Sequence, residues 1–219
     1  MLRRTLPSGI LSGVTAPQGT YLTRVGSQEI ELPLVRVAPT VSIALLISVD
    51  HGVAFAERAG AELADLLRPF DVSIVASVAT MGIPLAIEVT RALGLDDYVI
   101  LHKTPKIHLA DAVAEPVRSI TTDADQRLLF DVARVDAVKG RRVAVVDDVV
   151  STGGSSQAAL SLIRRIGGDP VVFGALLTEG GQWRRTLGAD AALVRALGAI
   201  PVFRHRPDGT VEEDWGPAD

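Results

Sequence analysis

The sequence predicts an α/β fold, a twisted parallel sheet with helices on both faces. Short runs of Val, Ile, Leu and Ala recur along the chain, and such continuously apolar runs are typical of strands buried on both faces. Segments with apolar residues at helical spacing alternate with these runs, as in a parallel sheet with crossover helices. Hydrophobic residues make up 47% of the 219 residues but aromatic residues only 4%, so aliphatic side chains must fill the core.

Three helices are predicted from apolar periodicity and from residues that start or stop helices. Serine caps a helix and proline favours its first turn, whereas glycine, or a proline just beyond the last turn, ends it. The predicted helices are Val53–Leu67, ended by Pro69; a helix that begins near Pro84 and ends at Gly94; and a helix capped by Ser155 or Ser156 and ended by Gly167-Gly168.

Extended segments are predicted where apolar and β-branched residues cluster between turn signals. The first two flank Ala38-Pro39-Thr40 and are expected to form a hairpin, whereas residues 1–28 and the polar tail from Arg206 receive no assignment. Ligands of parallel sheets bind beyond the carboxyl ends of the strands, at a topological switch point. The predicted strands are Ile30–Val37, Val41–Val49, Val72–Val78, Tyr98–Leu101, Arg127–Val132, Val143–Val146, Val171–Leu177 and Ile200–Phe203.

Length, charge and cysteine content limit the classes of protein to consider. The length fits a single domain over residues 1–219. The absence of cysteine excludes disulfides and thiolate metal sites and fits a reducing compartment, so a cytoplasmic location is expected. A net charge of −4 gives no general reason to bind nucleic acid or an anionic membrane. No apolar stretch approaches the ~20 residues that span a bilayer.

The most informative segment is VAVVDDVVSTGGSS, Val143–Ser156. An apolar run leads into the acid pair Asp147 and Asp148, and a turn rich in hydroxyls and glycine follows two further valines. The N–H groups of such a turn, and the helix start after it, bind phosphate, while paired carboxylates accept hydrogen bonds from vicinal sugar hydroxyls. A Walker-type loop is excluded because Ser155, rather than lysine, follows Gly154.

This segment resembles the phosphoribosyl-diphosphate signature of the type I phosphoribosyltransferases. The resemblance implies 5-phosphoribosyl 1-diphosphate as substrate and Mg²⁺ as cofactor. It also implies that Asp147 and Asp148 hold the 2′ and 3′ hydroxyls and stabilise the positive charge that develops on the ribose, while the loop fixes the 5′-phosphate. Metal-ligand spacing is not found, so no protein metal ligands are predicted. The substrate-binding residues implied here are Val149, Val150, Ser151, Thr152, Gly153, Gly154 and Ser155.

A second candidate element is the loop Ala79-Thr80-Met81-Gly82, between a predicted strand and the helix at Pro84. Its backbone amides are suited to receive an anion. Taken alone, the loop is equally typical of an ordinary strand-to-helix turn. The resemblance implies that this loop binds the diphosphate leaving group. Purine-specific members frequently carry an arginine just before the glycine, where this chain has Met81, so the contact is expected from the backbone.

The third element is the long segment from Lys103 to about Asp125, which shows no clear periodicity. Loops of this length are uncommon unless they are functional or disordered. The resemblance implies a flap that closes over the reacting centre, with Lys103 as a catalytic residue that neutralises the diphosphate. Lys106 and Arg118 are looser matches for substrate binding, and a solvated loop with scattered charges is the alternative.

The accepted base is predicted from Ser151, which stands two residues before the first loop glycine. Some 6-oxopurine enzymes of the family carry an aspartate there, whereas adenine enzymes usually carry a small residue, as do archaeal-type hypoxanthine enzymes. The spacing between the diphosphate loop, the basic strand end and the signature most resembles that of the adenine enzymes. The resemblance, which covers roughly residues 72–180, therefore favours adenine, with 6-oxopurines second. It also implies a homodimer and a hood over the base, formed by the N-terminal segment and about residues 190–206, beside a core of about residues 50–180. Other bases, and a non-catalytic regulator that binds phosphoribosyl diphosphate, remain alternatives.

Overall fold

The computed structural model describes residues 19–104, 112–117 and 126–216, which form two five-stranded sheets and a two-stranded hairpin. The strands are β1 Thr20–Val25, β2 Gln28–Ala38, β3 Val41–Ala44, β4 Ile74–Val78, β5 Tyr98–Leu101, β6 Ala112–Pro116, β7 Arg127–Asp131, β8 Arg142–Val150, β9 Asp169–Glu179, β10 Val194–Ile200, β11 Val202–His205 and β12 Val211–Asp214. The helices are α1 Val53–Leu67, α2 Gly82–Ala92, α3 Val135–Val138, α4 Gly154–Arg165 and α5 Gln182–Leu187.

The central sheet has the order β10-β9-β8-β4-β5, and all of its strand pairs are parallel. Each face buries its own hydrophobic cluster. Val143 and Val145 of β8 belong to the cluster that contains α4, whereas Ala144 and Val146 belong to the cluster that contains α1 and α2. Successive side chains of a strand point to opposite faces, so β8 contributes to both clusters. The predicted α/β fold is confirmed.

The strand order changes direction between β4 and β8. From β4 the chain adds β5 on one side, and it then returns to place β8, β9 and β10 in turn on the other side. The loops that leave β4 and β8 therefore diverge from a common point at the carboxyl edge of the sheet. This is the switch point at which parallel sheets form their binding crevices.

The second sheet is antiparallel, with the order β1-β2-β3-β11-β12. It joins the N-terminal strands to strands that follow the central sheet in the chain. The Gly26 N–H donates to the Leu197 carbonyl of β10 at 3.1 Å. Gly198 lies so close to the Arg24 carbonyl that a Cβ would collide with it, so glycine permits the contact between β1 and β10.

Two predicted strands differ from those observed. The segment predicted as Val41–Val49 leaves the sheet at Ala44, and Leu46 is buried in the core without strand pairing, so its apolar pattern reflects burial alone. The prediction of one strand over Ile200–Phe203 was wrong as well. Pro201 has no N–H for a ladder and divides the segment, which places β10 in the central sheet and β11 in the second sheet.

The long segment after β5 was predicted to have no regular structure, and this was wrong for part of it. β6 pairs with β7 in an antiparallel hairpin, and the N–H of His102 donates to the carbonyl of Leu129 at 2.9 Å. The hairpin packs on α4, where the Ser161 hydroxyl donates to Glu115 at 2.7 Å. Cross-strand pairing and this contact stabilise a strand that local sequence does not indicate.

Candidate active site

The acid pair lies within β8, near its carboxyl end at the switch point. Adjacent residues of a strand point to opposite faces, and the two carboxylates accordingly differ in exposure: Asp147 is 9% exposed and Asp148 is half-buried. The Asp148 N–H donates to Asp147 Oδ1 at 3.0 Å, and the Val149 N–H donates to Asp148 Oδ1 at 2.9 Å. The backbone thus orients both carboxylates, and Asp148 presents the more accessible one.

Asp147 is enclosed by β4 and by the start of α2. A Cβ at Gly82 would lie 2.9 Å from Asp147 Oδ1 and would collide with the Ser77 hydroxyl, so glycine lets α2 begin against the acid pair. Burial raises the pKa of Asp147 well above its ordinary value, the charge of Asp148 raises it further, and the charge of Lys103 lowers it in part. Lys103 is thereby placed within electrostatic reach of Asp147.

The raised pKa of Asp147 predicts that stability falls as pH rises. The folded protein keeps this proton to a higher pH than the unfolded chain, so the free energy of unfolding declines as pH rises from 3.8 through the raised pKa. We expect Asp147→Asn to remove this decline and to raise the melting temperature at pH 8 by roughly 2–4 °C, the shift that 1 kcal/mol produces at this chain length. Calorimetric melting should give equal temperatures near pH 4, and an unchanged decline in the variant would contradict the prediction.

The loop Ala79–Gly82 leaves β4 at the same edge and brings its backbone to the acid pair. The Ala79 N–H donates to the Leu101 carbonyl at 2.9 Å, and the Ser48 hydroxyl donates to the Met81 carbonyl at 3.2 Å. The peptide bond between Ala79 and Thr80 is cis. α2 begins at Gly82, so its positive N-terminal end lies beside the acid pair, where it favours an anion.

The segment Ser151–Ser155 runs from the end of β8 into the first turn of α4, and a positive φ at Gly153 shapes it. Gly153 has φ +83° and precedes the first residue of α4, Gly154, so the prediction that Ser155 or Ser156 caps the helix was wrong. A turn through the left-handed region starts the helix without a side-chain cap. The N-terminal N–H groups of α4 consequently face the loop, and this arrangement favours binding of a phosphate.

The remaining predicted residues differ in what they offer a ligand. Val150 is buried and Val149 is half-buried, so these residues space the acid pair from the loop and present little side chain. Lys103 is exposed just beyond β5. Lys106 and Arg118 lie outside the described residues. The structure therefore gathers the acid pair, the segments Ala79–Gly82 and Ser151–Ser155, and Lys103 at one edge of the sheet.

Sequence reasoning missed the residues of α5 and the end of β9 that contact the segment Ser151–Ser155 and the first turn of α4. A Cβ at Gly153 would lie 3.1 Å from Trp183 Cα and 3.0 Å from Thr186 Cβ, both in α5. The Gln157 side chain donates to the Thr186 carbonyl at 2.8 Å, and the Ser151 hydroxyl donates to Glu179 Oε2 at 2.5 Å. The sequence signal that could have marked this region as part of the site is Glu179-Gly180-Gly181, an acid and two glycines that follow a predicted apolar strand.

Comparison with protein-family models supplies the deciding observation. Residues 56–190, more than half of the chain, match the model of the phosphoribosyl transferase domain. The chain belongs to the phosphoribosyltransferase family. It is therefore a glycosyltransferase that transfers a pentosyl group. The matched region begins within α1 and ends after α5, so it includes the acid pair and the segments Ala79–Gly82 and Ser151–Ser155.

Individual phosphoribosyltransferases resemble the chain over most of its length. It is 36% identical to the adenine phosphoribosyltransferase of Thermobifida fusca (strain YX) over 139 residues, which are 63% of this chain and 74% of that protein. It is 27% identical to the xanthine phosphoribosyltransferase of Laribacter hongkongensis over 157 residues, 70% of this chain and 77% of that one.

A solved structure confirms the type I fold. The crystal structure of adenine phosphoribosyltransferase from Rhodothermus marinus matches with a TM-score of 0.61 at 21% identity, over 84% of this chain and 95% of that chain. Within residues 19–104, 112–117 and 126–216, no helix has the length and apolar content that a bilayer crossing requires.

Proposed function

We propose that the protein transfers the 5-phosphoribosyl group from 5-phosphoribosyl 1-diphosphate to a purine base, with adenine favoured, and releases the nucleoside monophosphate and diphosphate. The observation that carries the proposal is the convergence of two anion-binding loops on one acid pair at the switch point. One loop suits the 5′-phosphate, the other suits the diphosphate, and the carboxylates between them suit the ribose hydroxyls.

The reaction breaks the C1–O bond of the ribose and leaves positive charge on the sugar, as in glycoside cleavage. In the proposal, the N–H groups of Ser151–Ser155 and of α4 hold the 5′-phosphate. Asp147 and Asp148 hold the 2′ and 3′ hydroxyls and stabilise the developing charge. The Ala79–Gly82 backbone receives the diphosphate, with Lys103, Lys106 and Arg118 neutralising it. Fixing both ends of the substrate lowers the entropic part of the barrier.

The donor set fits Mg²⁺ carried by the substrate. Among the described residues, no three His, Cys, Asp or Glu side chains are grouped to hold a metal ion. Magnesium commonly binds through one or two carboxylates together with substrate phosphates. Asp148 offers the accessible carboxylate, and the diphosphate and hydroxyl oxygens would complete the coordination. Bound there, the ion would neutralise charge on the leaving group.

Two observations support adenine as the preferred base. The first position of the proposed phosphate loop, Ser151–Ser155, holds a small residue, as is usual in adenine enzymes. The relative from Thermobifida fusca is an adenine phosphoribosyltransferase. The similarity to the xanthine enzyme keeps 6-oxopurines as the second candidate.

A diphosphate-release assay with magnesium, phosphoribosyl diphosphate and a panel of bases tests the proposal. We expect release with adenine and less or none with hypoxanthine, guanine, xanthine and orotate. Release with only an oxopurine or a pyrimidine would replace the proposed substrate. Tight binding of phosphoribosyl diphosphate without release with any base would identify a regulator instead of an enzyme.

We infer that the protein acts in the cytoplasm, which the absence of cysteine supports, and that it forms a homodimer. An apolar surface at the start of α1 supports the homodimer. Val53 is 87% exposed and Val49 is 49% exposed, beside a groove of about 180 Å³ that includes Phe55 and Leu85. Large exposed apolar patches mark interaction sites. We expect Val53→Asp to convert a dimer into a monomer in light scattering, while Val211→Asp, at a residue 51% exposed on β12, leaves the mass unchanged. A dimer that persists in Val53→Asp would contradict this interface.

A further inference from the structure

A cavity of about 190 Å³ lies beside the phosphate loop, between the carboxyl end of β9 and the second sheet. It is smaller than the ~300–1,000 Å³ clefts that hold drug-sized molecules, so it suits a small ring system. Val202 gives its wall an apolar side chain, and Gly180, Gly181 and Gly216 add backbone to the lining. Its polar lining consists of Ser151, Glu179, Gln182, Arg185, Arg204 and Asp214.

Glu179 is a buried carboxyl group in this cavity. It is the last residue of β9 and only 5% exposed. Among the described residues, the Ser151 hydroxyl donates a hydrogen bond to Oε2 at 2.5 Å. A carboxylate has about four acceptor positions, so most of its acceptor capacity is left for a ligand. Burial raises the pKa of Glu179 and the hydrogen bond from Ser151 lowers it, as expected of an acid removed from water.

The strand order places the cavity opposite the leaving group. β8, which carries the acid pair, has β4 on one side and β9 on the other. The diphosphate loop Ala79–Gly82 follows β4, whereas Glu179 ends β9. A base that displaces diphosphate from C1 must approach from the face opposite the departing group. The base therefore approaches the ribose from the side of β9, where the cavity opens next to Ser151.

We propose that Glu179 is a specificity-determining residue: its carboxylate accepts a hydrogen bond from an amino group on the base, while Ser151 positions the carboxylate. The inference rests on the proposed function and deepens it. A 6-amino group donates N–H to the carboxylate, whereas a 6-oxo group presents lone pairs to it and leaves buried polar atoms unpaired. Unpaired groups of this kind produce the strongest discrimination between substrates.

Calorimetry with three ligands, ribose 5-phosphate, AMP and IMP, tests the assignment on wild type and Glu179→Gln. The amide of glutamine offers both a donor and an acceptor, so it no longer distinguishes the two bases. We expect the preference for AMP over IMP to fall at least ~10-fold, the effect of about 1.4 kcal/mol, with the affinity for ribose 5-phosphate unchanged. Glu57→Gln, the same acid-to-amide change at an exposed residue of α1 outside the cavity, is the control and should keep the wild-type preference.

A probe that needs no variant protects the test against a misfolded Glu179→Gln. Purine riboside 5′-monophosphate lacks the amino group without adding bulk, and wild type should bind it at least ~10-fold more weakly than AMP. If wild type binds ribose 5-phosphate, either of two results overturns the role of Glu179. One is an unchanged preference for AMP over IMP in Glu179→Gln, and the other is equal affinity of wild type for AMP and this probe. Failure of wild type to bind ribose 5-phosphate overturns the proposed function itself.

Discussion

Replacing Asp148 with alanine is expected to lower kcat/KM by ~10²–10³, the usual cost of removing one well-placed electrostatic contact to a transition state. The Asp148 carboxylate is half-buried, and the Val149 N–H holds one of its oxygens at 2.9 Å. It is thus oriented before the substrate arrives. Because the positive charge on the ribose is greatest in the transition state, the loss should appear mainly in kcat.

Steady-state diphosphate release by wild type, Asp148→Ala and Asp65→Ala measures this effect. Asp65 is an exposed acid on α1 that pairs with Arg68, so its removal controls for the change in net charge. We expect Asp65→Ala to retain full activity and all three proteins to melt at similar temperatures. Turnover of Asp148→Ala within about threefold of wild type would place the ribose contact elsewhere.

Replacing Gly153 with alanine is expected to lower kcat/KM at least ~10-fold, through weaker binding of the 5′-phosphate that corresponds to about 1.4 kcal/mol. A residue with Cβ pays ~1–2 kcal/mol in the left-handed region. At Gly153, with φ +83°, the added Cβ would also lie 3.1 Å from Trp183 Cα and 3.2 Å from its carbonyl oxygen. Either the loop or α5 must move, and each movement displaces the N–H groups that face the phosphate.

Gly94→Ala is the matched control for this prediction. Gly94 has φ +74°, and a Cβ there would meet nothing within 4 Å, so the substitution carries the backbone cost alone. Titration with ribose 5-phosphate should show at least ~10-fold weaker binding for Gly153→Ala, about 1.4 kcal/mol, and wild-type binding for Gly94→Ala. Equal affinities in the two variants would show that the close contact with α5 does not shape the loop.

The central sheet and the loops at its switch point were predictable from the sequence because their determinants are local. The valines of β8 are buried on both faces, so their apolar run was continuous and bounded. The acid pair and the turn of hydroxyl residues and glycines that follows β8 form a continuous pattern that is specific enough for the family resemblance. α1 was predictable as well, because its apolar periodicity and the proline at position 69 predict its bounds.

The predicted hairpin of the first two strands is confirmed by the antiparallel pairing of β2 with β3, but the joining of this hairpin to β11 was not predictable because the two segments lie far apart along the chain. β3 pairs with both β2 and β11, and β11 is separated from it by the whole central sheet. Ser42 of β3 is nearly fully buried, and its hydroxyl lies 2.7 Å from His205 Nε2. Because serine is polar, the sequence gives no sign that this position is a buried part of a strand. β12 is almost entirely polar and exposed, so cross-strand pairing alone determines it.

The cavity beside the phosphate loop draws its lining from two separate parts of the chain. Ser151 comes from the segment that carries the acid pair, and every other lining residue lies at the end of β9 or after it. Recognition of the heterocycle and activation of the sugar are consequently encoded in successive stretches of the sequence. Under the proposed function, such a division lets selection, or an engineer who exchanges the segment from Glu179 onward between homologues, alter the accepted nucleobase while the glycosyl chemistry is inherited unchanged.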